Sequence, residues 1–97
     1  MINAAPQAQA SFYRTSNGAE VDLVLTFRQQ QTWAIEIKRS SAPTVSKGFY
    51  QAAADVGATR NWVVAPVAQT YSLNEGIEVV DVMTAIQRVA AQNQRNE

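Results

Sequence analysis

The chain has 97 residues, 46% hydrophobic and 16% charged, which suits one domain, because two separate cores would each be too small to offset chain entropy. It holds no cysteine and no histidine, so disulfides, thiolate zinc sites, cysteine nucleophiles and imidazole bases are excluded, and any catalysis rests on carboxylates, Lys, Tyr, Ser or Thr with an oxygen-seeking metal as helper. Eight basic residues balance eight acidic ones, so no net field draws the chain to a polyanion; with no signal peptide or membrane span legible, the expectation is a cytoplasmic protein without a membrane partner.

Met1 to Ala10, rich in Ala and Gln, shows no period of 2 or 3.6 and is read as a disordered or truncated lead-in. Ser11 to Thr15 is a short run ended by Asn17-Gly18, which supplies the positive φ of a tight hairpin turn. Glu20 to Phe27 is the next strand: strict alternation puts Val21, Leu23, Leu25 and Phe27 on one face and Glu20, Asp22, Val24 and Thr26 on the other. After a polar turn at Gln29 to Gln31, Thr32 to Lys38 alternates again, with Trp33, Ile35 and Ile37 against Ala34, Glu36 and Lys38, completing a three-stranded meander.

Ser40 to Thr44 breaks the strand, and Val45, Phe49, Ala52, Ala53 and Val56 recur at helical spacing, with Thr44 or Ser46 as N-cap and Gly57 as stop. Asn61 to Ala65 is a buried strand that pairs parallel after the helical crossover, and Gly76 to Val80 is a last strand. Asp81 caps a helix from Val82 to about Ala91, and residues 92–97 form a frayed tail. The order is β-β-β-α-β-β-α over residues 11–91, a mixed sheet of the α/β class. Trp33, Tyr50 and Trp62 are expected as core or interface aromatics rather than base-stacking platforms.

Glu36-Ile37-Lys38 sends a carboxylate and an ammonium to the same face of a strand, roughly 7 Å apart along the backbone. An odd-length loop in the Glu20 to Lys38 hairpin brings Asp22 opposite or diagonal to them. Two hard carboxylates suit Mg²⁺ (or Mn²⁺), and a metal with a nearby lysine is an arrangement for phosphodiester hydrolysis, Lys38 orienting the water or stabilising phosphoryl oxygens. The competing reading keeps Asp22 and Glu36 on a solvated sheet face with Lys38 as their salt-bridge partner.

The spaced pair Glu20-Val21-Asp22 and Glu36-Ile37-Lys38 resembles the signature of the PD-(D/E)XK, or restriction-endonuclease-like, nuclease superfamily. Together with Phe12-Tyr13-Arg14-Thr15, Ser46-Lys47-Gly48-Phe49 and Trp62-Val63-Val64, the pattern over roughly Ser11 to Ile86 is similar to the C-terminal nuclease-like domain that follows AAA-type ATPase modules in prokaryotes. The resemblance implies a restriction-endonuclease-like fold acting on DNA, with Asp22, Glu36 and Lys38 as the site and Asp22 and Glu36 as metal ligands. Val21 stands where the name-giving proline would be, and Met1 to Ala10 offers no acid for the first helix such nucleases carry. The implied fold therefore lacks that helix; Glu20 would replace its acid, and Gln51 would match a helix glutamine of some relatives. Two functions stay open: a Mg-dependent nuclease, or a catalytically inactive dimerisation or interaction module of an ATPase. The incomplete cover leads us to expect a homodimer.

Overall fold

The computed structural model describes residues 9–16, 18–27, 31–73 and 76–95, the last three through their backbone alone. The lead-in up to residue 8, Asn17 of the hairpin turn and most of the polar turn at Gln29 to Gln31 lie outside the described residues. The elements run β1 (Gln9–Arg14), β2 (Glu20–Thr26), β3 (Thr32–Ile37), α1 (Lys47–Asp55), β4 (Arg60–Val64), β5 (Tyr71–Ser72), β6 (Ile77–Val80) and α2 (Val82–Arg95). They build one six-stranded mixed sheet of order β1-β2-β3-β4-β6-β5. No helix among the described residues is long and apolar enough to cross a membrane.

The first three strands pair antiparallel as a meander, while β3–β4 and β4–β6 pair parallel. A parallel neighbour requires a crossover, and α1 supplies it between β3 and β4. Ser46 caps α1, its hydroxyl accepting from the Phe49 amide at 3.3 Å, and Asp81 does the same for α2 through the Thr84 amide at 3.3 Å. The two helices cover opposite faces. Phe49, Ala52 and Ala53 of α1 pack on Val21, Val24, Ala34, Val63 and Val79, whereas Ala85 and Val89 of α2 pack on Leu25, Trp33, Ile35, Trp62 and Val80. Phe49 is fully buried, a contribution of ~1.5–3 kcal/mol for such a side chain. Trp33 and Trp62 are core aromatics, as expected, and Tyr50 is partly buried against the α1-side cluster.

Four expectations need correction. Strand β1 starts two residues before Ser11, and α2 runs past Ala91 to Arg95. Strand β5, which pairs antiparallel with β6 through Tyr71↔Val79 and Ser72↔Glu78, makes the order β-β-β-α-β-β-β-α; two residues carry no alternation to read. The faces of β2 also differ from strict alternation. Ser11 pairs with Val24 but Tyr13 pairs with Val21, so Phe12 alone stands opposite both Asp22 and Leu23, a β-bulge. The extra residue resets the parity: Val21 joins Val24 beneath α1, while Leu23 and Leu25 stay on the α2 side.

Candidate functional site

The bulge places Asp22. Pairing of β2 with β3 ends at Leu23↔Ile35, and beyond that point the Ile37 amide donates to Asp22 Oδ2 at 2.9 Å. A side-chain oxygen thus takes the place of a backbone carbonyl in the ladder and ties Asp22 to the end of β3, where Glu36 stands. On the other edge of β3, the Lys38 amide donates to the Val64 carbonyl at 2.9 Å, so the segment carrying Glu36 and Lys38 is held from both sides.

Glu36 shares the parity of Ala34, which lies in the α1-side cluster, and is only 8% exposed. Its Oε1 is 3.7 Å from the Lys38 ammonium, and its buried Oε2 has no hydrogen-bond partner. A buried carboxylate oxygen without a partner is a costly arrangement unless a charge of opposite sign completes it. Burial pushes the Glu36 carboxyl above the ordinary carboxylate range; Lys38 pulls it back down, while Asp22 and then Glu20 push it up again. The repulsion from Asp22 and Glu20 makes these carboxylates electrostatic neighbours of Glu36. Asp22, Glu36 and Lys38 thus come together at the end of β3.

The two assisting residues are differently placed. Glu20 is paired with Arg14 at 2.9 Å on an exposed stretch of the β1–β2 hairpin. Gln51 donates to Asp55 Oδ1 at 2.9 Å, and Asp55 Oδ2 accepts from the Tyr13 hydroxyl at 3.0 Å. Both are committed to other partners, and neither hydrogen-bonds Asp22 or Glu36. The Asp55 carboxylate also holds the Tyr13 hydroxyl above its ordinary pKa, first through the hydrogen bond. Among the described residues, no group of three or more acidic side chains is arranged to hold a metal ion.

Two open clefts lie along the β1–β2 hairpin. One, of about 340 Å³, is lined by Phe12, Tyr13, Arg14, Glu20, Val21 and Asp22. The other, of about 450 Å³, lies between the β1–β2 turn and α1 and includes Gly18, Lys47, Gly48 and Gln51. Lys47 has no ion-pair partner among the described residues. Sequence reasoning missed the Asp22 latch onto Ile37 and the part played by Phe12, because a bulge leaves no periodic signature in a single strand. Lys47 entered the sequence reading only within the Ser46-Lys47-Gly48-Phe49 run.

Comparison with curated proteins and with solved structures gives no match. A family model described as a domain of unknown function, DUF4143, matches residues 1–85, a stretch that takes in all six strands, α1 and the first turn of α2. On that match the chain belongs to the DUF4143 family of domains of unknown function.

Proposed function

We propose that the chain is a Mg²⁺-dependent (or Mn²⁺-dependent) nuclease-like domain that hydrolyses DNA phosphodiester bonds, on a restriction-endonuclease-like fold. The observation that carries this reading is the buried, partnerless Oε2 of Glu36 beside a second carboxylate, Asp22. The donor set fits Mg²⁺, which commonly takes one or two protein carboxylates and fills its remaining positions with water and phosphate oxygens. Asp22 and Glu36 would hold it, Asp22 through the oxygen not engaged by Ile37. When bound, such a cation lowers the pKa of a water and offsets charge on the phosphoryl group.

The chain's own residues supply the rest. Lys38, about one-third exposed, sits at the mouth of the site and is placed to face a non-bridging phosphate oxygen as a compact point charge. Lys47, lining the cleft between the hairpin turn and α1, can neutralise a more distant phosphate of a bound strand. The absence of net positive charge means affinity for DNA depends on these local groups. The test is isothermal titration of Mn²⁺ into wild type, Asp22→Asn and Glu36→Gln, followed by a plasmid-nicking assay. Metal binding and nicking that disappear together in both variants support the reading; no heat with wild type refutes it.

A second reading, an inactive dimerisation or interaction module of an AAA-type ATPase, is favoured by a different observation. Phe12 is 75% exposed, Ile37 53% and Met83 61%, large apolar side chains that a partner surface would cover. A homodimer in light scattering that Phe12→Glu dissociates, in a protein silent towards Mn²⁺ and DNA, would select it.

A further inference from the structure

On the face of the sheet away from Glu36, a third cleft of about 200 Å³ lies between β3, β4 and α2, lined by Trp33, Arg60, Trp62, Arg88, Ala91 and Gln92. Parallel pairing sets Trp33 beside Arg60. The two tryptophan rings lie 4.7 Å apart, with the Arg60 guanidinium 5.8 Å from the Trp33 ring centre and that of Arg88 5.2 Å from the Trp62 ring centre. Cation–π contacts of this kind hold a guanidinium in place without neutralising it.

The electrostatics of the two arginines differ. Arg88 is bound in a fork by Glu78, at 2.8 and 3.4 Å, so its charge is answered. Arg60 has no carboxylate partner among the described residues. Trp33 is 3% exposed, and its indole Nε1–H is buried without an acceptor, although a buried indole N–H normally finds one. The cleft thus offers one unanswered positive charge between apolar ring walls, and one of the rings that wall it carries an unanswered, buried donor.

We propose that this cleft binds a small organic monocarboxylate, one carboxylate oxygen paired with Arg60 and the other accepting from Trp33 Nε1–H, with the apolar body of the ligand against the tryptophans and Ala91. A single negative charge matches the single free cation; a phosphate dianion would call for a second free positive charge, and that of Arg88 is answered by Glu78. The volume is below the ~300–1,000 Å³ typical of drug-sized ligands, which limits the occupant to a small acid. Because Nε1 is closed to solvent, binding requires the side chains that wall the cleft to shift so that this donor is uncovered while Arg60 stays paired with the ligand; rotamer changes of exposed side chains take picoseconds to nanoseconds. The site is independent of the nuclease reading.

The chain has only two tryptophans, both in this cleft, so a ¹⁵N-resolved NMR spectrum shows two indole N–H signals, and Trp33→Phe tells which is which. Benzoate is titrated as the probe, with benzamide as its neutral isostere and inorganic phosphate at matched ionic strength. We expect benzoate to move the Trp33 indole signal downfield and saturably, while benzamide and phosphate leave it in place. Arg60→Gln, an exposed substitution whose backbone amide spectrum checks the fold, weakens benzoate by about tenfold, as loss of a charged hydrogen bond should. Glu36→Gln leaves the titration unchanged, which separates this site from the carboxylate site. A Trp33 signal unmoved by benzoate, moved equally by benzamide or phosphate, or indifferent to Arg60→Gln overturns the proposal.

Discussion

Replacing Gly48 by alanine probes how closely α1 is seated on the sheet. Gly48 lies in the first turn of α1, and a Cβ built there meets the Gly18 carbonyl oxygen at 2.3 Å, its carbon at 3.4 Å and Ala19 Cα at 3.6 Å. Ordinary carbon–oxygen contacts lie at about 3.3 Å or more, so the overlap is about 1 Å. The obstacle is backbone, and backbone held by its own hydrogen bonds: Thr15 N–H donates to the Ala19 carbonyl at 2.9 Å and Gly18 N–H to the Thr15 carbonyl at 3.2 Å. Gly18 itself has φ +95°, a conformation that glycine adopts readily and other residues rarely do. The helix must therefore retreat, at an overpacking cost of ~1–3 kcal/mol, partly offset by the ~1 kcal/mol or less that alanine gains over glycine in a helix. An overlap of this size with backbone belongs in the upper half of that cost range, so the expected net loss is about 1–2 kcal/mol, and each kcal/mol corresponds to a Tm lower by about 4–8 °C in a domain of this size. Urea unfolding of wild type and Gly48→Ala, monitored by circular dichroism, measures it. A variant as stable as wild type, or more stable, would refute the close approach of α1 to the hairpin turn and with it the wall of the Lys47 cleft.

Other outcomes follow from the site. Because the native Glu36 carboxyl is raised, the folded protein keeps a proton that the unfolded chain has released; its contribution to stability is full below the ordinary carboxyl value of 4.5 and is lost as pH rises through the higher native value. Urea midpoints across this window should fall with rising pH in wild type and flatten in Glu36→Gln. Asp22→Ala should destabilise by ~1 kcal/mol relative to Asp22→Asn, since only asparagine can still accept from the Ile37 amide, whereas both should lose Mn²⁺ binding; equal stability of the two would remove the latch from the account. Millimolar Mg²⁺ should raise the melting temperature of wild type and of neither Asp22→Asn nor Glu36→Gln, because a ligand bound only by the folded state stabilises it. Ser46→Ala should cost ~1 kcal/mol through loss of the α1 cap, read as a lower urea midpoint.

The parts legible in the sequence are those set by neighbours along the chain. Alternation in β3 separated Glu36 and Ala34 from Trp33 and Ile35, and the structure places these pairs beneath different helices. The Asp81 cap, and Ser46 as one of two candidates with Thr44, were readable because capping side chains reach amides only three residues on, and the parallel pairing of β4 followed from a helix standing between two strands. What the chain alone withheld depends on residues far apart in it. The bulge at Asp22 and Leu23 is a matter of register with β1, and it reverses the face of Val21 without changing any local preference. The two-residue β5 exists only through its pairing with β6. Glu20 and Gln51 found Arg14 and Asp55 rather than the site, since ion pairs and hydrogen bonds are settled by whichever group tertiary packing brings within reach. Periodicity and capping are local and survive in one dimension; register, partner choice and the burial that leaves Glu36 Oε2 and Trp33 Nε1 without partners are decided only when the sheet and its two helices close on one another.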